Sequence, residues 1–158
     1  MIINEIKNKP ILGLNLKLWL ICSKYLKMNR EKVYTVDVFW DGPIAGAANF
    51  DASAHYFDVV EDDIEFPDGS LNFMLISLSD EILQLIIKNA EIRLRWQEAC
   101  DKEEADLGSS PALPEDEEQM NENKFRIDTF LYQNNQSALI KRGIFNQLES
   151  GHFEVVWF

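Results

Sequence analysis

The side chains best placed for chemistry gather between Trp40 and Phe57, in the segment WDGPIAGAANFDASAHYF. His55 is one of two histidines in the chain, and Asp41, Asp51 and Asp58 flank it in sequence. A carboxylate beside an imidazole orients the ring and raises its pKa, which is how a general base is built. Asp41 and Asp58 are the carboxylates that short strands joined by tight turns would bring near His55. A purely structural expectation competes with this: a strand histidine satisfied by a neighbouring carbonyl. No serine or cysteine sits at a nucleophile elbow, so covalent catalysis is not predicted.

A second group lies at Arg93, Arg95, Trp96 and Glu98. Arg95 is a scarce cation in an acidic chain, and its guanidinium suits a carboxylate or phosphate. Arg95, Trp96, Glu98 and the turn residue Trp40 are the candidate binding residues. The competing expectation is an internal ion pair for Arg95 and a core position for Trp96. A third group, Glu61, Asp62, Asp63, Glu65 and Asp68, offers hard oxygen ligands for calcium or magnesium. Its spacing fits no EF-hand, and a solvated loop is expected. Two isolated histidines and two distant cysteines make no zinc cluster. No metal site is predicted, and no cofactor, since both GxxxxGK[ST] and GxGxxG are absent.

Charge narrows the partners. The chain has 27 acids and 15 bases for a net charge of −12 over 158 residues. Residues 1–27 hold five lysines and one acid, whereas residues 28–158 hold ten bases and 26 acids, a net of −16. So acidic a body repels phosphate backbones and anionic lipid, and it suits a basic protein or a cation. Acidity that serves only solubility is the plainer expectation.

The first 27 residues differ in character from the rest. Ile11–Cys22 is apolar but broken by Asn15 and Lys17, too short and too polar to span a bilayer. It lacks the cleavage pattern of a signal peptide. Three readings stand: translation starting at Met28, an interfacial anchor, or a first element of the fold. Cys22 and Cys100 form no disulfide framework, and the cytoplasm is the expected compartment.

The elements that must position these residues follow from periodicity. Lys32–Trp40 alternates as a strand, Asp41-Gly42-Pro43 turns, and Ile44–Phe50 and Ala54–Val60 continue an antiparallel meander. Leu71–Leu78 is apolar enough for a central strand. Ser79 caps a helix running to about Asp101, with Asp80 and Glu81 favoured in its first turn. Ala90, Leu94 and Ala99 mark one apolar stripe on that helix. Pro114 opens a second helix ending at Asn134-Asn135, with Met120, Lys124, Ile127 and Leu131 on one face. Ala138–Phe145 and His152–Phe158 close the chain as strands.

Trp40-Asp41-Gly42-Pro43, then Gly46, then His55 and Phe57, resembles the opening of a bacterial family of small uncharacterised proteins. Arg95-Trp96 with Glu98, and Pro111-Ala112-Leu113-Pro114-Glu115-Asp116, extend the resemblance, which covers roughly residues 34–158. The chain departs from that pattern at Ala90 and Arg93, where the family has tryptophans, and at Ala54, where it has proline. The resemblance implies a domain boundary near Met28 and carries no activity.

These readings predict an α+β domain over residues 28–158 behind an extension of residues 1–27. A mostly antiparallel sheet of five or six strands is expected to pack against one long helix and a second helix. The expected function is an acidic, non-enzymatic, immunity- or inhibitor-like module that binds a basic protein and no nucleic acid. The alternative is a small enzyme or ligand-binding protein with His55, Asp41 and Arg95 in one cleft. Mimicry of nucleic acid by rows of carboxylates is a further alternative.

Overall fold

The computed structural model describes residues 29–60, 66–105 and 110–158. The extension of residues 1–27 and the acids at 61–65 lie outside the described residues. β-branched and aromatic residues give four strands in the first half: β1 (Arg30–Phe39), β2 (Pro43–Phe50), β3 (Ser53–Val59) and β4 (Leu71–Ser77). Two helices follow, α1 (Asp80–Asp101) and α2 (Glu117–Asn134), and then β5 (Leu139–Gln147) and β6 (Phe153–Trp157). Each strand pairs antiparallel with the next. β1 also pairs with β6, through Arg30 with Val156, Glu31 with Val155 and Lys32 with Glu154. The six strands thus form a closed barrel.

Closure corrects the sequence expectation of a sheet packed on one long helix and a second helix. The inner face packs on itself, and the helices lie outside as a hairpin inserted between β4 and β5. The reason lies in what the strands carry inward. Phe57 (β3), Phe73 (β4), Phe145 (β5) and Trp157 (β6) place every pair of their ring centroids between 4.8 and 6.5 Å apart. Phe57 and Phe73 are fully buried with Leu75 and Val155, and the partly buried Phe145 and Trp157 pack against them. Four large rings on neighbouring strands are best removed from water by curling the sheet around them.

Curling needs room and a way to bend. A Cβ at Gly46 would sit 2.2 Å from the Thr35 carbonyl oxygen, and one at Gly143 would sit 2.6 Å from the Trp157 ring. β1 slips register against β2 three times, between Val33 and Thr35, between Val36 and Val38, and between Val38 and Phe39. Such bulges increase local twist and coil a strand. At one of them the Ala47 N–H donates to Thr35 Oγ1 at 3.2 Å. The slips also interrupt the simple alternation read over Lys32–Trp40. Tyr34 packs against the hairpin, and Asp37 pairs with it as well. Trp157 Nε1–H donates to the Asn49 carbonyl at 2.7 Å, tying β6 to β2 past the start of β1.

The hairpin is held by both apolar and polar contacts. Ser79 accepts from the Ile82 N–H at 3.3 Å and caps α1. Ile82, Leu83, Leu85 and Ile86 are buried with Ala47 and Ile127 between barrel and helices. Antiparallel register follows from three pairs: Glu81 with Arg126, Asn89 with Asn123, and Arg95 with Asp116. Asn123 donates to Asn89 Oδ1 at 2.9 Å, and Asn89 donates to the Met120 carbonyl at 3.3 Å. Such buried amide pairs specify alignment because a slip leaves them unpaired. Leu94, expected in an apolar stripe, is 59% exposed. It stands two residues beyond buried Ile92, and therefore about 200° around the helix from it.

Overpacking should be costly where the barrel is full. Gly143→Ala is expected to lower stability by about 1–3 kcal/mol by pressing on Trp157. Gly42→Ala, where a new Cβ meets nothing within 4 Å, should change it by less than about 0.5 kcal/mol. Urea unfolding followed by tryptophan fluorescence measures both, and equal losses would contradict a barrel filled around Trp157.

Candidate functional site

β3 fixes the fate of the histidine. His55 pairs with Ala48 on β2 and Ser77 on β4. It is 8% exposed and donates from Nδ1 to the Ser53 carbonyl at 2.9 Å. Its ring meets Phe50 edge-on, with centroids 5.5 Å apart. A carbonyl can only accept, so this bond fixes the proton on Nδ1. Asp58 lies three residues further along the same strand, and an odd spacing puts it on the opposite face. It pairs across to Ala45 and Met74. Asp41 is exposed in the turn between β1 and β2. β2 separates that turn from His55 by the run from Pro43 to Ala48, roughly 16 Å at the usual strand rise.

Arg95 finds its carboxylate elsewhere. Its Nη2 lies 2.8 Å from Asp116 Oδ1, and Nε lies 3.2 Å from Oδ2, a two-pronged bond between the end of α1 and the start of α2. His55, Asp41 and Arg95 therefore do not converge. Glu98 is exposed on α1, and its carbonyl accepts from the Lys102 N–H at 3.3 Å. Trp40 is 78% exposed at the barrel end, beside Phe39 at 57%. Of the acids proposed as hard ligands, only Asp68 is described. Ser70 donates to it from Oγ at 2.5 Å and from N–H at 3.1 Å, and these bonds hold its carboxyl below the ordinary range. Among the described residues, no group of three or more His, Cys, Asp or Glu side chains could hold a metal ion.

Trp96 is the residue that the fold carries into a cleft. α1 brings it to the end of the hairpin remote from β4 and β5. There a cleft of about 620 Å³ is lined by Trp96, Glu104, Ala112, Leu113, Glu115 and Glu117, with no cation on its wall among the described residues. That volume lies within the usual range for ligand sites. Residues 96–119 hold nine acids and one base, Lys102. The glutamates were missed as site residues because a charge run looks the same on a solvated face as around a pocket. Pro111–Pro114, which turns the chain back over Trp96, was the available signal.

Asp37 and Arg93 are the other pair that sequence reading did not join. β1 points Asp37 at α1, where Arg93 bonds it. Their side chains are 17% and 29% exposed. Burial raises the Asp37 pKa, and the Arg93 charge and hydrogen bonds from Arg93 and Thr35 offset that only in part. The local signal was an acid placed among Val33, Thr35 and Phe39, where an apolar residue was due.

No described helix is long and apolar enough to cross a membrane. No family model, curated protein or solved structure matches the chain. Function is therefore read from the residues themselves.

The sign of the Asp37 shift gives a test. A carboxyl whose folded pKa is raised contributes most to stability below its unfolded value and loses that contribution as pH rises through the folded value. Arg93→Met removes the offsetting charge and raises the Asp37 pKa further. It is expected to cost about 1–3 kcal/mol at pH 7, less than for a fully buried pair because Arg93 is partly solvated. The cost should shrink toward pH 4, where Asp37 takes up a proton. Urea unfolding at the two pH values measures this, and a deficit that stays constant or grows on acidification would refute it.

Proposed function

We propose that the protein is a cytoplasmic, non-enzymatic binding module whose acidic hairpin end receives a basic face of a partner protein. One observation carries this reading: Glu104, Glu115 and Glu117 line the Trp96 cleft, in a stretch of sequence, residues 96–119, that holds nine acids and a single lysine. The hairpin's three arginines are engaged nearby, Arg93 by Asp37, Arg95 by Asp116 and Arg126 by Glu81. Glu104, Glu115 and Glu117 have no cationic partner among the described residues, so their potential faces solvent.

Carboxylates around an indole suit a lysine or arginine side chain. The ring face attracts the cation, and the acids supply charge-assisted hydrogen bonds. Tryptophan is among the residue types most often found as binding hot spots. The surrounding field steers a basic partner inward and repels nucleic acid. Separation of His55, Asp41 and Arg95 also favours binding over catalysis.

Capture of native-host proteins on the immobilised full chain is expected to retain a basic protein at low salt and release it at high salt. Trp96→Ala should weaken that binding by about 2 kcal/mol or more. Glu104→Gln with Glu115→Gln and Glu117→Gln should lower the association rate about tenfold at low salt. A partner held equally well in high salt, or one untouched by either set of substitutions, would end this reading.

A further inference from the structure

The hairpin does not lie flush on the barrel. A second cleft of about 210 Å³ opens between β1, β3 and the two helices. That is the liquid volume of about seven waters, enough for a small organic molecule. Ile86, Ile127 and Leu131 give it an apolar wall, and Tyr56, Asp37 and Asp128 bring polar groups to it.

Those polar groups are not equally committed. Asp37 is bonded by Arg93. Asp128 meets Lys124 Nζ at 3.3 Å, with both side chains at least 60% exposed. An exposed helical pair of this kind is worth only about 0.3–0.5 kcal/mol, so an incoming cation displaces the lysine at little cost. The Tyr56 hydroxyl makes no hydrogen bond among the described residues, and its ring is half-buried. Three carboxylates, Asp37, Asp58 and Asp128, act on it against the single guanidinium of Arg93. Lys124 also lines the cleft, and once it is displaced from Asp128 the carboxylates acting on that oxygen outnumber the one remaining cation, which favours a cation there over an anion.

We propose that this cleft binds a primary ammonium on a short unbranched alkyl chain. The chain would lie along Ile86, Ile127 and Leu131, and the ammonium would donate to Tyr56 Oη and the Asp128 carboxylate in place of Lys124. Three donors on a compact head match this acceptor set. A free amine and a lysine side chain of another protein share this chemistry. The inference stands on the cleft alone and is independent of the Trp96 site.

Titration of the isotope-labelled full chain by amide NMR tests it, with n-pentylamine, n-pentanol, pentanoate and a lysine blocked at both its amino and carboxyl groups. n-Pentylamine is expected to shift the amides of Val38, Tyr56, Arg93 and Ile127 in a saturable way. Pentanol and pentanoate should bind at least about fivefold more weakly, as should n-pentylamine to Tyr56→Phe or Asp128→Asn, the loss expected for one hydrogen bond. Both variants keep side-chain shape, and unchanged spectra elsewhere would show that they fold. The blocked lysine binding as well as the amine supports a protein-borne ligand, and binding of the amine alone supports a free one. The proposal is overturned if pentanoate or pentanol binds as tightly, if neither amine perturbs the cleft, or if shifts spread over the acidic hairpin end instead.

Discussion

Four aromatic rings, one from each of β3 to β6, meet inside the barrel, and the rest of the fold is arranged to let them. Each touches the other three, so no strand can slip without turning its ring outward. Neighbours make space by having no side chain: Gly143 under Trp157, and Gly46 against Thr35 and Phe57. The indole N–H, which would be costly to bury unpaired, is satisfied by Asn49. β4 and β5 are separated by the whole hairpin in sequence, a costly loop to close, yet Phe73 and Phe145 lie 5.3 Å apart across that join. The fully buried residues at the barrel's centre, Phe57, Phe73, Leu75 and Val155, are all apolar, and the hairpin carries much of the acidity.

That division assigns roles to the two parts. The barrel supplies a rigid wall, and the hairpin supplies the acids. The hairpin is fastened by buried aliphatics, by the Asn89–Asn123 pair and by the Asp37–Arg93 bond. The last of these is a fastening with a cost. Burial works against the Asp37 charge more strongly than Arg93 supports it, so the pair contributes less to stability than its close contact suggests. Its surer effect is to fix where α1 lies on β1, which shapes the cleft between them.

Local pattern carried most of the elements and little of their closure. Alternation over Lys32–Trp40, Ser79 before an apolar run, and Pro114 before acids each reflect short-range physics, and the corresponding elements form. Closure depends on three residue pairs joining Arg30–Lys32 to Glu154–Val156, and nothing near either strand distinguishes an edge from a seam. A weaker global signal existed. One large aromatic recurs at an inward position on each of four strands, with small residues facing it, which suits a filled barrel better than a sheet covered by helices. The sites divide in the same way. Trp96 was legible as a lone aromatic beside charges, whereas Asp37, Tyr56 and Asp128 come from three elements and meet only after folding. His55 drew attention as a rare titratable residue, but a backbone carbonyl two residues away satisfies it.

Charge placement follows from the same constraint. Every arginine on the hairpin is engaged close to where it sits, by Asp37, Glu81 or Asp116. Two of these pairs are half-exposed or more on the arginine side, and pairs of that kind add little stability. Their larger consequence is for the field. Glu81 and Asp116 are the hairpin acids they neutralise, whereas Glu104, Glu115 and Glu117 around Trp96 keep their charge without a cationic partner among the described residues. With carboxylates spread evenly, steering would be weak and screened within about 8–10 Å at ordinary salt. Gathered around one cleft with an aromatic wall, they concentrate the potential where a cation can also be desolvated, and desolvation is what turns long-range attraction into a bound state.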